Sequence, residues 1–301
     1  MQSVLLQLAV SGIAMGFVYA LVAIEYTLIW NASGLLNFSH EKIIMLGGYV
    51  FVGTCLFQMG LPNFPAVILA ILALGLFGLV IATMIFIPLR NSTRLIAVVA
   101  TVMLGQVINE SVILIWGSVA LMPKNFMMGV FHFMGATVSK SYVYIIIVSI
   151  VIIALLEFIL KHTKTGKAMT CVSLNKTAAS LMGINVKKSM AMTMAMSFMI
   201  CGVIGTFTAP IFTVKQQMAT MIALKGFCAG VIGGFGNLPA AIAGGLILGV
   251  VENLAGLFLP SVFRDVVAFG LMIAFMMFFP DGLVGVKKRI MKKFAKEGAL
   301  S

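Results

Sequence analysis

The sequence predicts an all-α, polytopic integral membrane protein, and three observations lead to this prediction. Of the 301 residues, 61% are hydrophobic and only 9% are charged, and the mean hydropathy is +1.15. A soluble domain carries about 25% charged residues, so this chain could not cover its surface with polar groups. Several apolar windows have about the 20 residues that a helix needs to cross a bilayer. The alternating segments of about ten residues that are typical of a membrane β-barrel do not occur.

The apolar segments predict about 8–10 transmembrane or half-membrane helices in a single membrane domain over residues 1–301. Polar or proline-bearing breaks separate these segments from one another. In chain order they are residues 4–24, 43–60, 62–87, 95–121, 141–160, 189–210, 221–235, 239–259 and 262–280.

Basic residues orient these segments, because lysine and arginine are enriched in cytoplasmic loops. The loop with Arg90 and Arg94 is basic, residues 161–188 contain six lysines, and a basic tail occupies about 286–301. All three are predicted to be cytoplasmic, whereas the weakly basic loop 122–140 is predicted to lie outside. This pattern accounts for the net charge of +12 without a nucleic-acid partner. Alternating crossings then place the N-terminus outside, unless part of the following loop re-enters the membrane.

Two apolar stretches, one in each half of the chain, are interrupted by polar and glycine residues. They are 31–49 and GVIGGFGNLPAAIAGG at 230–245. Paired interruptions indicate a central translocation site built from broken helices, although glycine-rich helices that only pack tightly would look the same. Glu252 is a further candidate, since intramembrane acids are usually functional. The candidate pathway residues are Asn37, His40, Glu41, Lys42, Gly233, Gly234, Asn237 and Glu252. For three of them a structural role is the alternative: a helix cap for Asn37, a satisfied structural histidine for His40 and a buried hydrogen-bonded acid for Glu252.

Two stretches resemble part of a catalytic or nucleotide-binding motif, but neither motif is complete. His40-Glu41 begins like the zinc motif HExxH, but the second histidine position holds Ile44. KHTKTGK ends like a phosphate-binding loop, yet Lys161 stands where the first glycine belongs. The four cysteines show no CxxC spacing. We therefore expect no enzyme activity, no metal and no cofactor on this chain.

The basic loop at 161–188 contains a predicted short helix. Asn175 is a favourable N-cap, and Gly183 suits the position after the last helical turn. About two turns of helix are marginal in water alone, so this helix needs a partner surface. Ala178, Ala179 and Met182 could form a docking face. A turn at the lipid surface and a plain linker are the alternatives.

Six stretches, in order, resemble the high-affinity branched-chain amino acid permeases of ATP-binding-cassette importers. GLLNFSHEKIIMLGGY resembles the N-terminal signature of that family, usually read as glycine, two hydrophobic residues and then NFAHGE. The other five stretches are PLRNSTRLIAVVATVMLG, LIWGS, AASLMGIN, LKGFCAGVIGGFGNLPAAIAGGLILGVVE and FRDVVAFGLMIAFMMFFPDGLVG. The resemblance covers nearly the whole chain.

The resemblance implies a permease subunit of the bacterial or archaeal cytoplasmic membrane that works by alternating access. Its partners would be two cytoplasmic ATPase subunits, a second permease subunit that is related or identical, and an extracytoplasmic solute-binding protein in addition to the lipid bilayer. ATP would be hydrolysed on the partner chains. The loop helix would be a coupling helix that docks on an ATPase. The residues assigned to this coupling are Lys167, Asn175, Ala178, Ala179, Met182 and Gly183.

This chain departs from the family pattern at a few positions. The family usually has glycine in place of Glu25 and Glu41, and an acid in place of Lys42 and near Asn175. We hypothesise that Glu25 or Glu41 pairs with Lys42, while a solvated, interfacial Glu41-Lys42 is the alternative. Branched-chain amino acids are the expected solutes, and urea or short amides are alternatives within the importer interpretation. An ion-coupled secondary transporter or channel for a small solute is the alternative of a different class.

Overall fold

The fold is seen in a computed structural model that describes residues 2–90, 92–123, 126–133, 136–260, 263–279 and 282–285. The prediction of an all-α polytopic protein is confirmed, because most of the described residues lie in helices and the strands among them are two short ones. The predicted basic tail at about 286–301 lies outside the described residues. The first half contains α1 (Gln2–Ser33), α2 (His40–Tyr49), α3 (Asn63–Ile81), α4 (Ile87–Leu89) and α5 (Arg94–Trp116).

The second half contains the remaining elements. A small antiparallel hairpin joins β1 (Val130–Phe133) to β2 (Ala136–Ser139) within the loop predicted to lie outside. The helices that follow are α6 (Lys140–His162), α7 (Lys164–Leu174), α8 (Lys176–Leu181), α9 (Val186–Phe212), α10 (Thr220–Gly233), α11 (Leu238–Ala255) and α12 (Arg264–Phe278).

Seven helical stretches within the described residues are long and apolar enough to cross a membrane. Two shorter stretches join them: α2, which continues as the π-helix Val50–Gln58, and α10. The described residues therefore contain seven candidate spans together with these two shorter stretches. The seven longer spans are Leu5–Ser33, Asn63–Leu89, Leu95–Trp116, Lys140–His162, Val186–Phe212, Leu238–Ala255 and Arg264–Gly285.

The first helix differs from its prediction. The first apolar segment was expected to end at residue 24, but α1 continues as one helix through Glu25 to Ser33. Neighbouring segments give partners to two of the polar side chains in this extension. Glu25 is fully buried and accepts a hydrogen bond from the Ser197 hydroxyl at 2.6 Å, and the Asn31 amide donates to the Gly236 carbonyl at 3.3 Å. The helix therefore has no need to break at these residues.

Helix α1 packs closely against α11 because both present glycine at the contact. A Cβ atom on Gly249 would fall onto the backbone of Gly16, and one on Gly245 would fall onto that of Ala20. Small residues allow two membrane helices to approach in this way, so that their backbones make extensive van der Waals contact. The packing of α1 on α11 in turn brings the two interrupted stretches of the chain together.

Candidate functional site

The short helix of the loop that is predicted to be cytoplasmic is present as expected. The Asn175 side chain accepts a hydrogen bond from the Ala178 backbone N–H at 3.0 Å and so caps the start of α8. Gly183 follows the helix with φ +80°, a left-handed conformation that glycine adopts without strain. The cap and the glycine fix the length of this helix at less than two turns.

Three large apolar side chains project from α7 and α8 into solvent. Leu174, Leu181 and Met182 are each more than 80% exposed, although they lie outside the membrane spans. Ala178 is exposed beside them, but Ala179 is only 4% exposed and faces the protein interior, which corrects its expected place on the docking face. Large exposed apolar side chains outside the membrane spans are candidates for an interaction surface. We call Leu174, Leu181 and Met182 the coupling patch.

Lys176 connects this short helix to the end of α1. Its ammonium group donates a hydrogen bond to the Ser33 backbone carbonyl at 2.7 Å, in the last turn of α1. Burial, with a smaller contribution from the nearby Arg90 charge, lowers the pKa of the Lys176 amine below its usual range. The coupling patch is therefore tied directly to the chain just before the first interruption.

Residues 34–39 form that first interruption, and their polar groups are turned inward. The Asn37 side-chain oxygen accepts hydrogen bonds from the backbone N–H and the hydroxyl of Ser39, at 3.0 and 2.6 Å. His40 is buried with its ring edge against Tyr26, and its Nδ1 lies 3.2 Å from the Asn37 carbonyl oxygen. Asn37 and His40 are almost fully buried within this single chain, and Asn37 Nδ2 and His40 Nε2 have no hydrogen-bond partner among the described residues.

Glu41 and Lys42 form an ion pair with 3.2 Å between Oε1 and Nζ, and both remain partly exposed. We hypothesised that Lys42 pairs with Glu25 or with Glu41, and the pair observed is the one with Glu41. The pairing with Glu25 is wrong, because the Glu25 carboxyl is directed to Ser197 on α9 instead. Lys42 lies beside Gly105 of α5, so the pair sits between α2 and α5.

The second interruption, residues 234–237, is a tight turn between α10 and α11. Asn237 caps α11 by accepting a hydrogen bond from the Ala240 N–H at 3.1 Å, and Gly234 has φ +96°. Gly233 lies where a Cβ atom would collide with the Ala240 carbonyl. The Gly236 carbonyl accepts the bond from Asn31, which joins this turn to the last turns of α1.

Glu252 belongs to a buried charged network that joins four helices. Its carboxylate accepts hydrogen bonds from the Lys225 ammonium at 2.6 Å and from the Tyr19 hydroxyl at 3.0 Å. Lys225 also pairs with Asp265 at 2.7 Å. Sequence reasoning missed Lys225, although a single lysine inside the apolar segment 221–235 was a signal for a buried partner. The network links α1, α10, α11 and α12.

A polar strip on α5 was also missed. Gln106 and Glu110 are exposed along one side of this membrane span, and Asn109 between them donates a hydrogen bond to Glu110 at 3.1 Å. Glu110 has no cationic partner among the described residues. The sequence did contain a signal, because positions three and four apart lie on one face of a helix. We call Gln106, Asn109 and Glu110 the α5 strip.

Comparison with known proteins bears on this arrangement. Residues 8–276 match the family described as the branched-chain amino acid transport system, permease component. This match spans most of the chain. The chain belongs to that permease family. As a member, it is a transport subunit of the ATP-binding-cassette importer type and a multi-pass protein of the cytoplasmic membrane, and such permeases work with ATPase and solute-binding partners.

Relatives from bacteria and an archaeon agree with this assignment. The high-affinity branched-chain amino acid transport system permease protein BraD of Pseudomonas aeruginosa is 30% identical over 93% of this chain and 95% of its own length. The corresponding protein LivH of Escherichia coli K12 is 29% identical with the same coverage. A probable LivH permease of Methanocaldococcus jannaschii is 26% identical over 91% of this chain and 90% of its own. No solved structure matches the chain.

Proposed function

We propose that this permease forms part of the translocation pathway for branched-chain or related small amino acids, as a single membrane domain. The relatives with 29–30% identity are named for branched-chain amino acid transport, which supports this solute class. Urea and short amides remain alternatives within the importer interpretation. The observation that carries the proposal is the coupling patch, an apolar surface on a cytoplasmic helix that is tied to the end of a membrane span.

ATP hydrolysis is assigned to two partner ATPases rather than to this chain. The coupling patch supports docking on one of them, because exposed leucine and methionine side chains gain stability when a partner groove covers them. Lys176 then gives a route by which movement of α8 reaches α1. An ion-coupled secondary transporter would have no use for an apolar docking helix in the cytoplasm, so this alternative is not favoured.

The α5 strip is assigned to the pathway, together with the ion pair of Glu41 and Lys42. A carboxylate and two amides on the surface of a membrane span are costly against lipid, whereas a water-filled cavity solvates them. The remaining candidates are held within the chain and are assigned an indirect role, in which they fix the shape of the two interruptions beside the pathway. They are Asn37, His40, Gly233, Gly234 and Asn237. A second permease subunit would complete the pathway opposite α5, and a solute-binding protein would deliver the amino acid from outside.

Co-purification of the assembled complex tests the docking assignment. Leu181→Glu places a charge in the coupling patch, and we expect the ATPases to be lost from the purified permease because the charge would be buried against them. Lys187→Glu is the matched control, because it also adds a carboxylate to an exposed cytoplasmic position nearby. Retention of the ATPases by Leu181→Glu, or equal loss in both variants, would contradict the assignment.

Uptake of leucine into proteoliposomes tests the transport function itself. The complete complex, with its binding protein and ATP, is expected to accumulate labelled leucine. Excess valine should compete with this uptake, and urea and acetamide should not. Competition by the amides alone would select the alternative solutes. Uptake that continues without the ATPase subunits would contradict the importer assignment.

A further inference from the structure

A pocket of about 580 Å³ lies between α1, α6, α7 and α11. Its volume is within the range of ligand-binding pockets. The inner wall is apolar and comes from three membrane spans. The apolar residues that line it are Ile24, Ile153, Leu156, Leu160, Leu238 and Ile242.

The opening of the pocket is lined by basic residues and lies at the side that is predicted to be cytoplasmic. Lys161 belongs to the last turn of α6, while Lys167, Thr170 and Cys171 come from one face of α7. Glu157 on the rim pairs with Lys161, whereas Lys167 forms no ion pair within the described residues. The rim therefore keeps a net positive charge directly above an apolar chamber.

We propose that this pocket binds one anionic phospholipid of the cytoplasmic leaflet. An acyl chain would occupy the apolar chamber, and the phosphate headgroup would contact Lys167 and the free hydrogens of Lys161. Basic pockets between membrane helices on the cytoplasmic side recognise acidic headgroups in this way. The lipid would fill the space below α7, the helix that leads from α6 to the coupling patch.

Charge complementarity favours a lipid over a second copy of this chain. A two-fold contact at this surface would bring the same patch of both copies together, so that two lysine rims would face each other. A phospholipid supplies the opposite charge and the apolar tail from one molecule.

Native mass spectrometry of the purified complex tests the proposal, with phosphatidylglycerol and phosphatidylcholine as the added lipids. We expect one tightly retained phosphatidylglycerol per permease and no retained phosphatidylcholine. Lys167→Gln should weaken retention about fivefold, which is the factor for one lysine near a membrane surface. Lys187→Gln removes the same charge from an exposed site outside the pocket and should leave retention unchanged. Equal loss in both variants, or equal retention of both lipids, would overturn the proposal.

Cys171 provides a second measurement that does not depend on a substitution. It is exposed on the pocket rim, whereas Cys55, Cys201 and Cys228 are buried, so a thiol reagent should report on the pocket. In nanodiscs, phosphatidylglycerol should slow the labelling of Cys171 relative to phosphatidylcholine. Protection that is the same in both lipids would indicate that a protein partner covers the pocket, and the lipid proposal would be wrong.

Discussion

Lys225 and Glu252 form an ion pair with 2.6 Å between Nζ and Oε1, and both side chains are almost completely buried. The pair is held by Tyr19 on one side and by Asp265 on the other. Its four members come from four helices, and Asp265 ties α12 to Lys225 of α10. A buried charge is tolerated only when it is paired and hydrogen-bonded. Correct packing of α12 is thus linked to this network.

Removal of Lys225 should therefore destabilise the protein strongly. Lys225→Met leaves Glu252 buried without a cation, and we expect a loss of about 3–5 kcal/mol in the free energy of unfolding. Addition of Glu252→Gln should recover part of that loss, so thermal unfolding of the two single variants and the double variant should be non-additive. Lys161→Met is the control, because its pair with Glu157 is exposed to solvent and its loss should change the melting temperature little. Additive effects would contradict the network.

The hydrogen bond from Lys176 to Ser33 should matter for coupling rather than for assembly. We expect Lys176→Met to retain the ATPases but to lower leucine uptake per ATP hydrolysed by about tenfold, since a charged hydrogen bond contributes about 1.5–3 kcal/mol. The measurement is uptake and ATP hydrolysis on the same proteoliposomes. Lys187→Met should leave the ratio unchanged. A normal ratio in Lys176→Met would show that the bond does not transmit movement.

The contact of Gly249 with Gly16 should tolerate no added side chain. Gly249→Ala forces the backbones of α1 and α11 apart, and we expect it to cost about 1–3 kcal/mol in the free energy of unfolding. Gly270→Ala on α12 is the matched control, because an added Cβ meets no atom within 4 Å among the described residues. Thermal unfolding in detergent measures both. Equal melting temperatures would mean that the close packing of α1 on α11 is not needed.

A variant in the α5 strip can show whether this side of α5 faces the translocation pathway or the lipid. If Glu110 faces the pathway, Glu110→Leu should lower leucine uptake by about tenfold, the effect of losing one charged hydrogen bond. If Glu110 faces lipid instead, the same change should leave uptake intact and raise stability, because it removes a charge that costs about 2.5–3.5 kcal/mol near the centre of the bilayer. Uptake and thermal unfolding, measured together, decide between the two.

A chemical measurement complements this variant. Cysteine introduced at Gln106 should react with a membrane-impermeant thiol reagent, whereas cysteine at Ile147, exposed on the apolar helix α6, should not. Replacement of Cys171 by serine in both variants removes the accessible native thiol. Labelling at neither position would place the α5 strip outside the aqueous pathway.

The sequence by itself determined the fold class, the membrane segments, the short helix capped by Asn175 and, through six ordered motifs, the family. These are readable because hydropathy, capping and glycine chemistry act over a few neighbouring residues. Only the tertiary structure decided which polar residues face outward. It buried Asn37 and His40, paired Glu25 with Ser197 and Lys225 with Glu252, and left Glu110 exposed. Glu25 and Ser197 are 172 residues apart in the chain, and Tyr19 and Glu252 are 233 apart, so helix packing is what brings such partners together.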